Sequence, residues 1–374
     1  MKKKIIIITS NRSDYGIQKN LIKLLKQNKK INLKLLVTGS HLLQKFGFTK
    51  NEIINDKISI SREIPFKLKN FSHKEIINYI SLAVSKFSNF YIKYKPDLII
   101  ILGDRYEMLT AALPSIFLNI PVAHLHGGEI TLGSFDNTIR NCITQISSLH
   151  FTCHDKYMHR VIRMGKDPKL VYNVGSLACE NIKKTKFFSK KFLEKKFKFK
   201  FAKKNALVTF HPITIKRNVS SYYFSNLIKV LTKYKEINFL FTCPAPDPEN
   251  LQIMKLLDKN VKKNKNFFLI KSFGQKYYHS IVKNINFVIG NSSSGIIEVP
   301  SFKKPTINIG DRQKGREQAK SIINCSYLIK NIEKAISKTT SKKFLKNLKN
   351  QKNIFYKKNT AANISKAIKN FLDE

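Results

Sequence analysis

Short apolar runs alternate with longer segments of helical period along the first half of the chain. The runs are rich in isoleucine and valine, and Ile17, Leu21, Leu24 and Leu25 show the spacing of one buried helix face. Continuous apolar runs of this length are typical of parallel strands that helices cover on both faces. We therefore predict strands at residues 5–9, 35–38, 98–102, 122–125 and 150–152.

The alternation restarts in the second half, after a stretch rich in lysine and phenylalanine at residues 183–204. Further strands are predicted at residues 207–210, 239–242, 267–270, 287–289 and 306–309, and a closing amphipathic helix at residues 361–372. Two successive doubly wound α/β domains fit this pattern, with ligands expected at the carboxyl ends of the strands.

The length of the chain agrees with this fold, because 374 residues are enough for two hydrophobic cores. We predict one domain at residues 1–182, a second at residues 183–360, and a closing segment at residues 361–374. The lysine-rich stretch at the start of the second domain is predicted to join the two domains.

The composition narrows the class of protein. No segment approaches the roughly 20 consecutive apolar residues of a membrane helix, and the five cysteines are scattered, so we expect no membrane span, no disulfide framework and a cytoplasmic location. The formal net charge of +45 is compatible with a nucleic-acid partner. Because the lysines are spread over the whole chain without a nucleic-acid-binding signature, we expect no such partner.

Two polar clusters follow predicted strands in the first half. Arg12 lies in a turn that opens a helix, and the free N–H groups of such a turn favour an anion. A capping turn explains Ser13 and Asp14 equally well but leaves Arg12 unexplained, so we predict that Arg12 binds an anion. Asp104 follows the very apolar strand at residues 98–102, where it either caps a helix or faces a cleft.

The densest cluster follows the fourth predicted strand. It contains His126, Glu129, Asp136 and Arg140, and carboxylates gathered with imidazoles are what proton transfer needs. A capped helix with an ion pair between Asp136 and Arg140, at i and i+4, is the plain structural alternative. A metal site formed by His124, His126 and Glu129 is a second alternative, because both histidines share a face of an extended segment. We expect no metal.

Three clusters in the second half favour a nucleotide diphosphate. His211 ends a predicted strand, and Ser292 and Ser293 stand at a helix start, where N–H and hydroxyl groups suit a diphosphate. Glu298 follows in the same helix and can accept both hydroxyls of a ribose. Arg312 lies in a basic loop after the next strand. The structural alternatives are a structural role for His211, a flexible turn with a surface glutamate for Ser292 to Glu298, and a solvated basic loop for Arg312.

Taken in order, these clusters resemble the hydrolysing UDP-N-acetylglucosamine 2-epimerases. The resemblance covers about residues 4–320, and its motifs lie at residues 12–15, 103–107, 124–129, 136–140, 175–176, 211–212, 291–298 and 308–316. It implies a glycosyltransferase-B-like architecture, in which two Rossmann-like doubly wound domains enclose an interdomain cleft. It also implies a nucleotide-sugar substrate, no required cofactor and a homo-oligomer.

The resemblance further implies a reaction and a role for each candidate residue. A base removes the C2 proton of UDP-N-acetylglucosamine, UDP leaves from C1 to give 2-acetamidoglucal, and water adds on the other face to give N-acetylmannosamine. The implied catalytic residues are Asp104, His126, Glu129, Asp136 and Arg140, with either His126 or Glu129 as an acid or base. The implied UDP-binding residues are Arg12, His211, Ser292, Ser293, Glu298 and Arg312.

Several alternatives remain beside this interpretation. A 2-epimerase of a nucleotide-linked 2,4-diacetamido-6-deoxy sugar would differ only around C4 and C6, and a glycosyltransferase of the same architecture would transfer the sugar to an acceptor. A non-hydrolysing epimerase fits less well, because its first turn typically runs Arg-Pro-Glu and this one runs Arg12-Ser13-Asp14. A nucleic-acid-binding protein would explain the charge but not the polar clusters after successive strands.

Overall fold

The computed structural model describes residues 2–65, 68, 70–270 and 273–373. Its first part contains the strands β1 (Lys3–Thr9), β2 (Ile31–Val37), β3 (Arg62–Glu63), β4 (Leu98–Leu102), β5 (Val122–Leu125), β6 (Leu149–Thr152) and β7 (Val171–Asn173). The helices of this part are α1 (Arg12–Gln27), α2 (Lys50–Asn55), α3 (His73–Tyr94), α4 (Tyr106–Phe117), α5 (Asp136–Ile146), α6 (Asp155–Arg163) and α7 (Leu177–Lys184). Among the described residues, the seven strands form one parallel sheet in the order β3-β2-β1-β4-β5-β6-β7.

The central strand β1 shows why this sheet is covered on both faces. Its four isoleucines are fully buried. Ile5 and Ile7 pack in one hydrophobic core, whereas Ile6 and Ile8 pack in another on the opposite face. Side chains alternate across a strand, so an uninterrupted apolar run supplies both cores at once.

The second part repeats the architecture. Its strands are β8 (Lys204–Thr209), β9 (Ile237–Thr242), β10 (Phe267–Ile270), β11 (Phe287–Gly290), β12 (Thr306–Ile309) and β13 (Ile322–Cys325). Its helices are α8 (Lys190–Phe197), α9 (Ser220–Leu231), α10 (Asn250–Lys263), α11 (Gln275–Asn284), α12 (Ser293–Ile297), α13 (Ile329–Thr339) and α14 (Lys342–Leu348), and α15 (Thr360–Asp373) follows them. Within the described chain, the six strands form a parallel sheet in the order β10-β9-β8-β11-β12-β13. Short 3₁₀ helices lie at Gly39–Leu42, Gln44–Phe46, Pro168–Leu170 and Val299–Phe302.

The last helix returns to the first domain. Ile364 and Ile368 of α15 are buried in the same core as Ile5 and Ile7 of β1. At its start, the backbone N–H of Ala361 donates to the Glu180 carboxylate (2.9 Å). The predicted closing helix is therefore present, and it fastens the end of the chain to the domain where the chain began.

The predicted pair of doubly wound α/β domains is confirmed. The predicted strands at residues 98–102, 122–125, 267–270 and 306–309 have the observed bounds, and the other predicted strands differ at one or both ends. The sequence analysis missed β3, β7 and β13. All three are edge strands of their sheets, where a short strand needs little apolar surface.

Residues 183–204, which are predicted to join the domains, also form a part of the second domain. This stretch contains α8, and Leu193 of α8 is fully buried in a core of the second domain together with Phe199. Phe199 is therefore packed inside the domain, whereas Phe192 and most of the lysines of this stretch are exposed. The exact domain boundaries stay a prediction. Within the described residues, no helix is both long and apolar enough to cross a membrane.

Candidate functional site

The carboxyl ends of both sheets open into one cleft between the domains. The cleft holds a cavity of about 340 Å³, which is lined by loops that follow β1, β4, β5, β8, β9, β11 and β12. All the candidate residues from the sequence line it: Arg12, Asp104, His126, Glu129, Asp136, Arg140, His211, Ser292, Ser293, Glu298 and Arg312. Their common position is what a joint role in binding or catalysis requires.

Asp104 is held by the buried Arg140. Nη2 of Arg140 donates to Oδ2 of Asp104, and Nη1 donates to the backbone oxygen of Glu129 (2.9 Å) and to the Thr131 hydroxyl (3.0 Å). The ion pair considered between Asp136 and Arg140 is therefore wrong, because Arg140 turns to the end of β4. The Asp104 side chain itself keeps 22% exposure in the cleft.

Asp136 has a different environment. Its Oδ2 accepts a hydrogen bond from the Ser134 hydroxyl (2.7 Å) and lies 3.5 Å from Nη2 of Arg312. Burial raises the pKa of Asp136 above its usual range, although the charges of Arg105 and Arg312 oppose the shift. This direction makes the Asp136 carboxyl suited to carry a proton.

His126 and Glu129 form a hydrogen-bonded pair. Nδ1 of His126 lies 2.7 Å from Oε1 of Glu129, and Nε2 lies 3.4 Å from the Ser176 hydroxyl. Glu129 also contacts Arg316 (2.5 Å) and accepts from the Cys153 thiol (3.1 Å). Burial would raise the pKa of Glu129, but the charge of Arg316 and the bonds from His126 and Cys153 lower it to about 2.

This arrangement separates the roles of the two residues. An ionised Glu129 accepts the Nδ1 proton of His126, which leaves Nε2 of a neutral imidazole as the basic atom. Glu129 is 2% exposed and occupied on both oxygens, whereas 12% of the His126 side chain is exposed. Of the two side chains, His126 is therefore the one with an atom accessible from the cleft, and Glu129 holds it.

The alternative metal site is wrong in its ligand set. Both ring nitrogens of His124 already have partners, the carbonyl of Gly103 (2.7 Å) and the hydroxyl of Thr144 (3.2 Å). The residues that the structure does bring together are His126, Glu129 and Cys153, with possible ligand atoms within 4.8 Å of one another. The guanidinium on Glu129 already supplies the positive charge there, so the geometry does not favour a metal ion.

His211 takes one defined tautomer. The backbone N–H of Ala245 donates to Nδ1 of His211 (2.9 Å), so the proton of the neutral ring lies on Nε2. Burial, followed by the charges of Arg312 and Arg105, lowers the pKa of His211 well below its usual range. The side chain of Asn291 fixes the backbone of His211: Oδ1 accepts from the His211 N–H (2.7 Å), and Nδ2 donates to the His211 carbonyl (2.9 Å). A neutral His211 can therefore donate one hydrogen bond from Nε2.

The turn after β1 differs in detail from the prediction. The N-cap of α1 is Asn11, whose side chain accepts from the backbone N–H of Asp14 (3.0 Å), so neither Ser13 nor Asp14 is the cap. Asp14 instead accepts from the Ser10 hydroxyl (2.6 Å). Arg12 follows at the first helical position and lines the cleft, where burial lowers its pKa and the charge of Glu52 opposes the shift.

Comparison with known proteins gives the family. The model of the UDP-N-acetylglucosamine 2-epimerase family matches residues 23–369. The chain belongs to this family.

Individual relatives agree with this membership. The chain is 39% identical to a protein from Campylobacter jejuni named GDP/UDP-N,N′-diacetylbacillosamine 2-epimerase (hydrolyzing), over 92% of this chain and 90% of that protein. It is 34% identical to polysialic acid biosynthesis protein P7 from Escherichia coli, over 99% of this chain and 94% of that protein. It is 33% identical to UDP-N,N′-diacetylbacillosamine 2-epimerase (hydrolyzing) from Legionella pneumophila, over 87% of this chain and 85% of that protein.

A solved structure has the same fold. The complex of S. aureus MnaA with UDP superposes with a TM-score of 0.84 at 17% identity, over 99% of this chain and 97% of that chain. The glycosyltransferase-B-like architecture is therefore confirmed for this 2-epimerase family member.

The two domains of this family member meet directly around the cleft. From the second domain, Arg312 reaches Asp136 and Arg316 reaches Glu129, so each cation contacts a carboxylate of the first domain. The backbone N–H of Leu132 donates to the carbonyl of Lys314 (2.9 Å). The segment at residues 129–136 of the first domain thus lies directly against the loop at residues 312–316 of the second.

The sequence analysis did not select a third ion pair between the domains. Nη1 of Arg105, at the start of α4, lies 2.7 Å from Oδ1 of Asp247, and Nε lies 3.4 Å from Glu107. Asp247 is fully buried, and burial raises the pKa of Glu107 to about 7. The positions of the two residues could have indicated this pair, because Arg105 follows β4 and Asp247 follows β9 at the same edge of the fold.

Gly133 allows the backbones of the two domains to approach each other closely beside the cleft. A Cβ added there would lie 2.2 Å from the backbone oxygen of Asp311, so alanine must push the domains apart locally. We expect Gly133→Ala to lower kcat/KM by about 100-fold, because displacements near 1 Å in a catalytic site have effects of this size. Steady-state kinetics and thermal unfolding measure the result. Leu132→Ala is the control, since it changes a half-exposed neighbour without adding an atom, and wild-type kinetics of Gly133→Ala would contradict the expectation.

Proposed function

We propose that this family member is a hydrolysing 2-epimerase of a nucleotide-linked 2,4-diacetamido-6-deoxy sugar, with UDP as the leaving group. The reaction class is supported by one observation above all: acid–base side chains of the first domain meet cations of the second in a single cleft. The sugar is supported by the names of the relatives from C. jejuni and L. pneumophila, at 39% and 33% identity. The sequence had favoured UDP-N-acetylglucosamine, with the diacetamido sugar as the alternative.

The proposed reaction combines elimination with addition of water. A base removes the proton at C2 while the nucleotide diphosphate leaves from C1, and water then adds to the resulting double bond on the other face. No carbonyl is adjacent to that C–H bond, so the proton is weakly acidic and stabilisation of the leaving group must supply much of the rate.

Three side chains of the first domain carry the proton transfers in this proposal. Asp104 and His126 are the candidate bases, because Arg140 pairs with the first and Glu129 accepts a hydrogen bond from Nδ1 of the second, which leaves its Nε2 toward the cleft. Asp136 is the candidate acid, because its burial favours the protonated form. Acids and bases from different loops suit a reaction in which protons leave and arrive on different faces of the sugar.

The second domain provides the nucleotide site of the proposal. Arg312 and the Nε2–H of His211 stabilise the charge that develops on the diphosphate, with the hydroxyls of Ser292 and Ser293 as further donors. Glu298 accepts from the ribose, and Arg12 adds positive charge from the first domain. Each of these residues lines the cavity.

UDP-N-acetylglucosamine is the second candidate substrate. The family model carries this name, and the two substrates differ only at C4 and C6 of the sugar. A glycosyltransferase reaction remains a third candidate that the shared architecture alone does not distinguish. Cytoplasmic location, homo-oligomerisation and the absence of a nucleic-acid partner stay predictions.

Proton NMR in deuterated water separates these candidates. The purified protein is given UDP-N,N′-diacetylbacillosamine or UDP-N-acetylglucosamine in separate tubes, and UDP, the anomeric signals and deuterium at C2 are followed. We expect free 2-epimeric sugar with deuterium at C2 and an equal amount of UDP, with kcat/KM about 100-fold higher for the diacetamido substrate, because a site built for an amide discriminates strongly against its absence. A preference for UDP-N-acetylglucosamine would move the proposal to the second candidate. Unchanged substrate in both tubes, with no UDP released and no deuterium at C2, would contradict the epimerase reaction.

A further inference from the structure

Helix α11 lies behind α12 and contacts it through two adjacent side chains. Nε2 of His279 lies 2.6 Å from Oε2 of Glu298, and the Tyr278 hydroxyl lies 2.7 Å from the hydroxyl of Ser294. Tyr278, Ser294 and Glu298 line the cleft. His279 is fully buried and lies behind Glu298, so it can act on a bound molecule only through that carboxylate.

The tautomer of His279 follows from its partners. Among the described residues, Nδ1 of His279 has no hydrogen-bond partner, so the proton of a neutral ring belongs on Nε2, where the Glu298 carboxylate accepts it. The ring packs against Phe302, with ring centroids 5.9 Å apart. This donor is therefore fixed in place before any ligand arrives.

From this geometry we infer that His279 is a positioning residue for the ribose of the nucleotide. The inference rests on the proposed function, in which Glu298 accepts hydrogen bonds from the ribose hydroxyls. A free glutamate side chain loses rotamer entropy when it binds a ligand, whereas His279 holds one oxygen of Glu298 and leaves the other for the ribose. His279 thus contributes to nucleotide selection without touching the nucleotide.

Tyr278 supports the other end of the same helix, α12. Its hydroxyl contacts Ser294, and the Ser294 hydroxyl lies 3.1 Å from that of Ser292, a proposed diphosphate donor. Neighbouring residues on α11 therefore act on different parts of the nucleotide: Tyr278 on the diphosphate side and His279 on the ribose side. This difference provides an internal control.

The test compares the dissociation constants of UDP and 2′-deoxy-UDP, measured by calorimetry. We expect the wild-type protein to bind UDP about tenfold or more tightly than 2′-deoxy-UDP, because a hydrogen bond to a charged group is lost. His279→Leu removes the donor and should reduce this ratio to about threefold or less, whereas His279→Gln keeps an amide N–H near the same place and should restore most of it. Tyr278→Phe should weaken both ligands equally and leave the ratio unchanged.

Several outcomes would overturn the inference. An unchanged ratio in a folded His279→Leu protein would mean that His279 is only structural, and a wild-type protein without preference for UDP would mean that Glu298 does not bind the 2′-hydroxyl. If His279→Leu does not fold, the comparison of Glu298→Gln with His279→Gln/Glu298→Gln decides: the histidine change must have no further effect on the ratio once Glu298 is changed. Failure of the wild-type protein to bind UDP at all would overturn the proposed function as well. An inference that fails in a protein that still binds UDP is thereby distinguished from a failure of the proposed function.

Discussion

Asp104→Asn is expected to lower kcat by about 10³-fold while changing the affinity for UDP by less than about threefold. Asparagine keeps the shape of aspartate but cannot accept a proton as a base. Arg140 keeps its hydrogen bonds to the backbone of Glu129 and to Thr131, so the loop should stay in place when its charged partner is lost. Most of the proposed nucleotide site belongs to the other domain, which is why affinity and turnover should separate.

The measurement is release of UDP in the steady state, together with calorimetric binding of UDP and loss of the C2 proton in deuterated water. Asp258→Asn is the matched control, because Asp258 is exposed on α10. It should have wild-type turnover. A kcat of Asp104→Asn within tenfold of wild type would show that this carboxylate takes no part in proton transfer, and a large loss of UDP affinity would place its role in binding.

The central strands of both sheets could be predicted because burial on two faces leaves a continuous apolar run. In β4, all five residues from Leu98 to Leu102 are buried, and the sequence contains an uninterrupted Leu-Ile-Ile-Ile-Leu. The strand β3 consists of Arg62 and Glu63, both exposed, so its sequence contains no apolar signal. Its pairing with β2 depends on backbone hydrogen bonds that the three-dimensional arrangement provides.

The candidate site could be predicted for a related reason. Parallel strands end at one edge of each sheet, so a polar residue directly after a buried strand belongs to the cleft wherever it occurs in the chain. The pairing between such residues could not be predicted in the same way. The structural alternative pairs Arg140 with Asp136, four residues away, but Arg140 contacts Asp104, 36 residues away. The contact of Arg105 with Asp247 joins residues 142 apart in different domains.

The backbone at His126 also could not be predicted from local preferences. His126 has a φ of 65°, in the left-handed region that non-glycine side chains adopt at a cost, and two glycines follow it. This conformation turns His126 away from the strand direction of His124, so the two histidines do not share a face as an extended segment would require. Tertiary contacts hold it, since the His126 backbone donates to Phe151 (2.8 Å) and its ring contacts Glu129.

Glu129→Gln is expected to have the largest effect on stability, about 3–5 kcal/mol of unfolding free energy at pH 7. Glu129 and Arg316 are 2% and 6% exposed in their side chains, and neutral glutamine would leave a buried guanidinium without its counter-charge across the domain interface. The effect must depend on pH. The folded-state pKa of Glu129 is lowered to about 2, so its stabilisation is complete above the unfolded value of about 4.3 and is lost as the pH falls through the folded value.

Chemical denaturation of both proteins between pH 7 and pH 3 measures this expectation. The difference between wild type and Glu129→Gln should be constant near neutrality and shrink below about pH 4. Glu317→Gln is the matched control, because Glu317 pairs with Lys156, whose side chain is 70% exposed, and should change stability by no more than about 1 kcal/mol. If Glu129→Gln behaves like this control, the buried pair does not stabilise the domain interface. If it is unstable yet fully active, His126 does not need an anionic partner, and the acid–base role given to this pair is wrong.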